Sequence, residues 1–408
     1  MTREERRELL DQEPLDPELE VEEYEEEGGD DEVEQQVGTF QAFLQDRRKL
    51  ATWALVFVAA IVAIYVLFPK IVGLDDALAR LDDATWYWVV VAIGCNVAAF
   101  AAYVALFRGV LGGTQDDEAH RRLDARASYQ ITMAGLAATR IFSAAGAGGI
   151  ALTYWALRKA GMPRRRSACR MVAFLVLMYS IYTGALVLFG ILLRTHVLPG
   201  DAPFGGTVVP AAVSAGAIGF FLLVALIPQD VERRMDAFAG GYRRARFIAR
   251  LAKGPATVAT GVRTAIAYVR HLRGGALAVG GAVGFWGANI AVMWASFEAF
   301  GGDVKFAVLV QGFFVGMAAN LIPSPAGGVG SVDAGMIAAY ALFGMPSEVV
   351  FPAVLMYRVI AFWLPIPPGV VAYFQLRGTI GVWERERDGK RRAGVYTSES
   401  KVKAAEAT

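Results

Sequence analysis

Arg358, Asp333 and Arg140 are ionisable residues set inside apolar stretches, and they are where this chain could do chemistry. Arg358 follows Val-Leu-Met-Tyr and precedes Val-Ile-Ala-Phe-Trp-Leu-Pro, so its guanidinium has too much apolar sequence on both sides to reach a surface easily. A charge facing hydrocarbon costs a few kcal/mol, and such residues pair internally. Asp333 is the obvious partner. The pair is either a cationic site for a lipid phosphate, with Asp333 competing for the guanidinium, or a structural brace. Arg140 either neutralises an entering head group or caps carbonyls where a helix breaks. Glu298, at the outer end of an apolar run, completes the set. Asn96, Asn289 and Asn320 are expected to hydrogen-bond between helices.

Two glycine-rich interruptions flank these charges. Residues 320–333 read Asn-Leu-Ile-Pro-Ser-Pro-Ala-Gly-Gly-Val-Gly-Ser-Val-Asp, a stretch unable to form a helix through lipid, because proline removes donors and glycine favours non-helical dihedrals. Backbone of this kind is accepted at membrane depth only where protein or a wet cavity satisfies it. Ser324, Gly327, Gly328 and Gly330 are therefore candidate tip residues, with Asn320 and Tyr357 beside them. Ser143 and Gly146, followed by Gly148 and Gly149, form a similar interruption in the first half of the chain. Glycine backbone at both tips permits a turn or close approach, and exposed amides there could hold an anion.

The surrounding elements are read from apolar length. The chain has 408 residues, 55% of them hydrophobic, the composition of a polytopic membrane protein. Roughly 20 apolar residues make one span, and the runs at about 51–68, 86–107, 171–193, 208–228, 276–298 and 349–374 meet that length. The stretches 128–157 and 306–343 are interrupted midway and fold better as hairpins that enter and leave on one side. The fold class predicted is all-α, with about six full spans and two re-entrant hairpins.

Charge orients these elements. Loops at 46–50, 108–127, 158–170, 229–273 and 377–408 hold 31 Lys/Arg, against four in the intervening loops, which places both termini in the cytoplasm. The hairpins then enter from opposite faces. Ser143-x-x-Gly146, Gly161-Met162-Pro163 and Val176-Leu177-Met178-Tyr179 recur in order as Ser324-x-x-Gly327, Gly344-Met345-Pro346 and Val354-Leu355-Met356-Tyr357. Together these features predict an inverted-topology repeat, whose midplane is where transporters bind substrate.

Residues 1–45 are an acidic tail, expected to be disordered and cytoplasmic; it is a solvated leader or a surface for a protein partner. The first apolar run follows acidic sequence, so no signal peptide is expected. Residues 1–50 carry 18 acids and six bases, which leaves 34 bases and 21 acids in the rest, a balance suited to anionic lipids. Residues 46–376 form the transmembrane domain. Within it 229–273 is a cytoplasmic amphipathic connection, with Val231, Met235, Phe238, Tyr242, Ala245, Ile248 and Ala252 on one stripe. Residues 377–408 are a basic cytoplasmic tail. Two cysteines and three scattered histidines predict neither a disulfide framework nor a metal site; no cofactor, no nucleotide-binding motif and no nucleic-acid partner is indicated.

Asn320-x-x-Pro323-Ser324-Pro325-x-Gly327-Gly328-x-Gly330-x-x-Asp333, Gly344-x-Pro346, Tyr357-Arg358 and Leu364-Pro365 resemble the transmembrane region of lysylphosphatidylglycerol synthases and related flippase-like proteins, over about 50–376. The resemblance implies two re-entrant hairpins and a lipid-handling domain of a prokaryotic plasma membrane. Departures are an Asp at 333 where that family usually has Glu, a first hairpin without its proline and acid, and no Arg near Tyr179-Ser180. The chain ends soon after its last span, so no aminoacyl-transferring domain is expected. The function predicted is non-enzymatic binding or translocation of a membrane lipid, anionic or phosphate-bearing. A head-group transferase and an accessory or scaffold subunit are the alternatives.

Overall fold

A computed structural model describes residues 84–112, 118–141, 147–226, 243–321 and 328–406, with side chains except at 118, 141, 147, 243–256, 272–274, 388 and 390–406. The expected tail at 1–45, the run at 51–68, the connection at 229–242 and the tip residues Ser143, Gly146, Ser324 and Gly327 lie outside it, as do the side chains of the stripe expected at 231–252. Among the described residues all regular structure is helical: α1 Trp86–Leu111, α2 Glu118–Arg122, α3 Ala125–Ile141, α4 Ala147–Lys159, α5 Arg164–Arg194, α6 Phe204–Ala225, α7 Arg243–Arg270, α8 Leu272–Ala299, α9 Phe306–Met317, α10 Ser331–Leu342, α11 Ser347–Arg358 and α12 Ile366–Glu406. A 3-10 turn, Ala318–Leu321, extends α9, and a π-helical turn, Val359–Trp363, joins α11 toward α12.

Among the described residues five helical stretches are long and apolar enough to cross a membrane: Trp86–Leu111, Arg164–Arg194, Phe204–Ala225, Gly275–Ala299 and Ser347–Arg387. Helices outrun the apolar sequence at both ends. α5 starts at Arg164, ahead of the run at 171, and α12 continues to Glu406, because a helix continues for as long as its backbone bonds are made, whatever the polarity of its side chains.

The α1–α8 pair is held by small residues. A Cβ on Gly281 would come within 2.7 Å of Ala102 O, and one on Gly109 within 2.6 Å of Ala278 N. Backbones approach this closely only where side chains are absent, a packing mode favoured in membranes because hydrocarbon gives no hydrophobic push between helices. Gly281→Val is expected to lower stability by about 1–3 kcal/mol through overpacking, read as a lower thermal midpoint in detergent. An unchanged midpoint would contradict the contact.

Two pairs of shorter helices pack antiparallel. Gly149 of α4 meets Gly135 O of α3, where a Cβ would be 2.6 Å away, and Gly135 faces Thr153 Oγ1. In the second pair Tyr340 of α10 donates to Leu309 O of α9 at 2.9 Å, and Met336 fills the space before Gly316. The α3–α4 pair opens beside α12, where Lys159 pairs with Glu384 at 3.0 Å. The α9–α10 pair opens at the other end of the bundle, where Gly206 meets Phe343 and Gly302 meets Val349.

Candidate functional site

The centre of the site is set by proline chemistry in the last long helical stretch. Leu364 N–H reaches back five residues to Val359 O at 2.9 Å, the spacing of a π-turn. In that register the carbonyls of Ile360 and Phe362 look to residues 365 and 367 for donors, and both are proline. Side chains from other helices take over: Asn96 Nδ2 of α1 donates to Ile360 O at 2.9 Å. Arg140 of α3 donates to Ala361 O at 2.9 Å through one terminal nitrogen and to Phe362 O through the other. Arg140 thus caps a helix break, and the break is in the final stretch rather than in α3 itself.

The turn that precedes α10 supplies the other half. Gly328 and Gly330 have φ of +89° and +84°, the left-handed region where glycine carries little steric penalty. Asp333, in the first turn of α10, accepts from Gly330 N at 2.9 Å through Oδ2 and pairs with Arg358 Nε at 2.5 Å through Oδ1. Arg358 also donates to Gly328 O at 3.1 Å. Arg358 and Asp333 are 5% and 7% exposed, so this charge pair is desolvated and its loss would strand an ion. The bond from the backbone N–H of Gly330 to an acid three residues on also places negative charge where the helix dipole favours it.

Phe362 draws the halves together. Its ring centroid lies 4.8 Å from the Arg140 guanidinium carbon and 4.3 Å from that of Arg358, within cation–π range. Arg140 and Arg358 also line a cavity of about 590 Å³. Among the described residues that line it there is no Asp or Glu, and Asp333 pairs with Arg358 without lining the cavity. Thr139, Thr153 and Asn320 add polar groups to the wall, while Ile150, Tyr179 and Leu321 form an apolar rim, 47%, 51% and 79% exposed.

The expected site residues divide clearly. Arg358, Asp333, Arg140, Gly328, Gly330, Asn320 and Tyr357 converge on this region. Tyr357 donates to Asn289 Oδ1 at 3.3 Å across the α11–α8 interface, and the Asn289 amide donates to Phe285 O in its own helix. Gly149, expected at a tip, instead lies within α4 at its contact with α3. Phe362, Thr139 and Thr153 were not anticipated. Thr132, Gly135, Leu136 and Thr139 all line the cavity and recur at steps of three and four, so their shared helical face was available in the pattern. No comparable signal marks Phe362.

Comparison with known proteins adds two findings. The family model described as the lysylphosphatidylglycerol synthase TM region matches residues 52–369. A UPF0104 membrane protein of Methanothermobacter thermautotrophicus is 33% identical over 87 residues, which cover 21% of this chain and 26% of that protein. The aligned part thus spans about a quarter of that relative's length.

Proposed function

The chain belongs to the lysylphosphatidylglycerol synthase transmembrane-region family, and from that membership and the cavity we propose that it binds a membrane lipid by its head group and translocates it. The observation that carries this reading is the cavity itself: among the described residues its wall has two guanidiniums and no carboxylate, and it opens through an exposed apolar rim. Such a wall attracts an anionic or phosphate-bearing head group, while acyl chains remain outside past Ile150 and Leu321. In this reading the α3–α4 and α9–α10 pairs are re-entrant hairpins from opposite membrane faces. With α5 and the α11–α12 stretch they form an inverted-topology repeat, the architecture in which rocking of one half against the other alternates access. The Lys/Arg asymmetry of the loops supports cytoplasmic termini, and the family resemblance supports a prokaryotic plasma membrane.

Proteoliposomes carrying fluorescent phosphatidylglycerol test the reading. Wild-type protein is expected to raise the rate of exposure to a membrane-impermeant quencher at least about tenfold over protein-free vesicles, a barrier change near 1.4 kcal/mol. Ile150→Trp, which narrows the cavity mouth at an exposed rim position, is expected to return that rate toward background while the thermal midpoint stays near wild type. Wild-type rates equal to protein-free vesicles for anionic, zwitterionic and cationic lipids alike would overturn the proposal.

A further inference from the structure

A second cavity, of about 550 Å³, lies where α2 and the start of α3 meet α12. Arg121, Arg122 and Arg126 line it together with Asp124, Glu386 and Trp383. Both acids are already engaged. Asp124 Oδ1 accepts Ala127 N at 2.7 Å, so it serves the first turn of α3, and Glu386 lies 3.8 Å from the buried Arg122. Arg121 and Arg126 are exposed, and among the described residues neither makes an ion pair. Two forked cations thus face a cavity that Trp383, 6% exposed, walls on its α12 side. This is the donor geometry that recognises phosphate oxygens two at a time, and the N-terminus of the 17-residue α3 adds its dipole in the same sense.

We infer that this cavity binds a phosphate-bearing anion, either the head group of an anionic lipid in the adjoining leaflet or free inorganic phosphate. Held by Arg121 and Arg126, the bound anion ties α2 to the first turn of α3. The consequence follows from how α3 and α12 pack. The α2–α3 segment touches α12 from Arg122 at Glu386, through Thr379, whose hydroxyl donates to Gln130 Oε1 at 2.8 Å, to Met133 and Ala137 against Gly369. Arg140, at the far end of α3, holds the carbonyls that precede α12. An anion at the near end therefore stiffens the pair that positions Arg140, and so couples this cavity to the central one.

The full-length protein in phosphatidylcholine nanodiscs tests the site, with phosphatidylglycerol introduced in one arm and inorganic phosphate in the other. Thermal midpoints are recorded for wild type, the double variant R121Q/R126Q and the control R385Q, whose guanidinium bonds its own helix at Gly381 O. Wild type and R385Q are expected to gain stability with the anion, and the double variant to need about tenfold more of it. A gain with phosphatidylglycerol alone assigns a lipid head group; a gain with phosphate assigns a free anion. Binding at the central cavity is common to all three proteins, so it cancels in the comparison and a failure there is separable from a failure here. No gain in either arm, an undiminished gain in R121Q/R126Q, or an equal loss in R385Q would overturn the site.

Discussion

Arg358→Ala is expected to unfold at a markedly lower temperature than wild type and, on the proposed function, to lose lipid translocation. The substitution removes one member of a buried pair and leaves Asp333 desolvated, which typically costs about 3–5 kcal/mol. It also frees Gly328 O, so the positive-φ turn before α10 loses a tie to α11. The double variant D333N/R358Q separates bracing from binding. The amide oxygen introduced at position 333 still accepts from Gly330 N, and the glutamine side chain at position 358 still offers an N–H. Neither leaves a buried charge, so the midpoint of the double variant is expected to lie well above that of Arg358→Ala. Translocation of an anionic lipid stays lost, because the cavity wall has given up one of its two cations. Thermal midpoints and quencher-accessible flipping, measured on the same preparations, decide the matter. A double variant that flips lipid at the wild-type rate would reduce Arg358 to a brace.

Arg140→Met carries the second large effect. Two carbonyls, of Ala361 and Phe362, lose a charged donor, and hydrogen bonds to charged groups are each worth about 1.5–3 kcal/mol. The expected destabilisation is on the order of 3 kcal/mol, with translocation reduced in parallel. A double-mutant cycle with Pro367→Ala isolates the cause. Alanine at 367 restores an N–H that Phe362 O can accept, so the penalty of Arg140→Met should shrink by about 1 kcal/mol in that background. Unfolding free energies of the four proteins in detergent give the coupling. Strict additivity would mean that Arg140 acts elsewhere than on the proline-freed Phe362 carbonyl.

The cavity's charges were legible in the sequence because an ionisable residue inside an apolar run must find a partner, and Arg358 and Asp333 had few choices. The glycine turn was legible as well. Gly328 and Gly330 follow two prolines, and both take the positive φ that such sequence favours. What one dimension concealed is the way elements borrow from each other. Nothing local in residues 128–157 says that Arg140 will serve carbonyls more than two hundred residues away. Phe362 reads as one more apolar residue, and its place between two guanidiniums exists only once α3 lies along α12. Helix ends were misjudged for a different reason. Apolarity marks where hydrocarbon lies, whereas a helix continues for as long as its backbone bonds are made, as α12 does beyond residue 374.

The π-turn at Val359–Trp363 also governs how this chain can change in length. A turn of that kind accommodates one residue more than an ordinary helical turn. Removing one of its five residues would leave an ordinary helical turn and keep the downstream helix in place, whereas removing a residue from the regular start of α12 would rotate everything after it by about 100°. Gly369, where a side-chain carbon would fall 2.7 Å from Met133 O, would then swing out of its groove and a bulkier neighbour would arrive in its stead. The π-turn is thus the place where this stretch can lose a residue, while the same loss a few positions later would unseat the whole terminal helix.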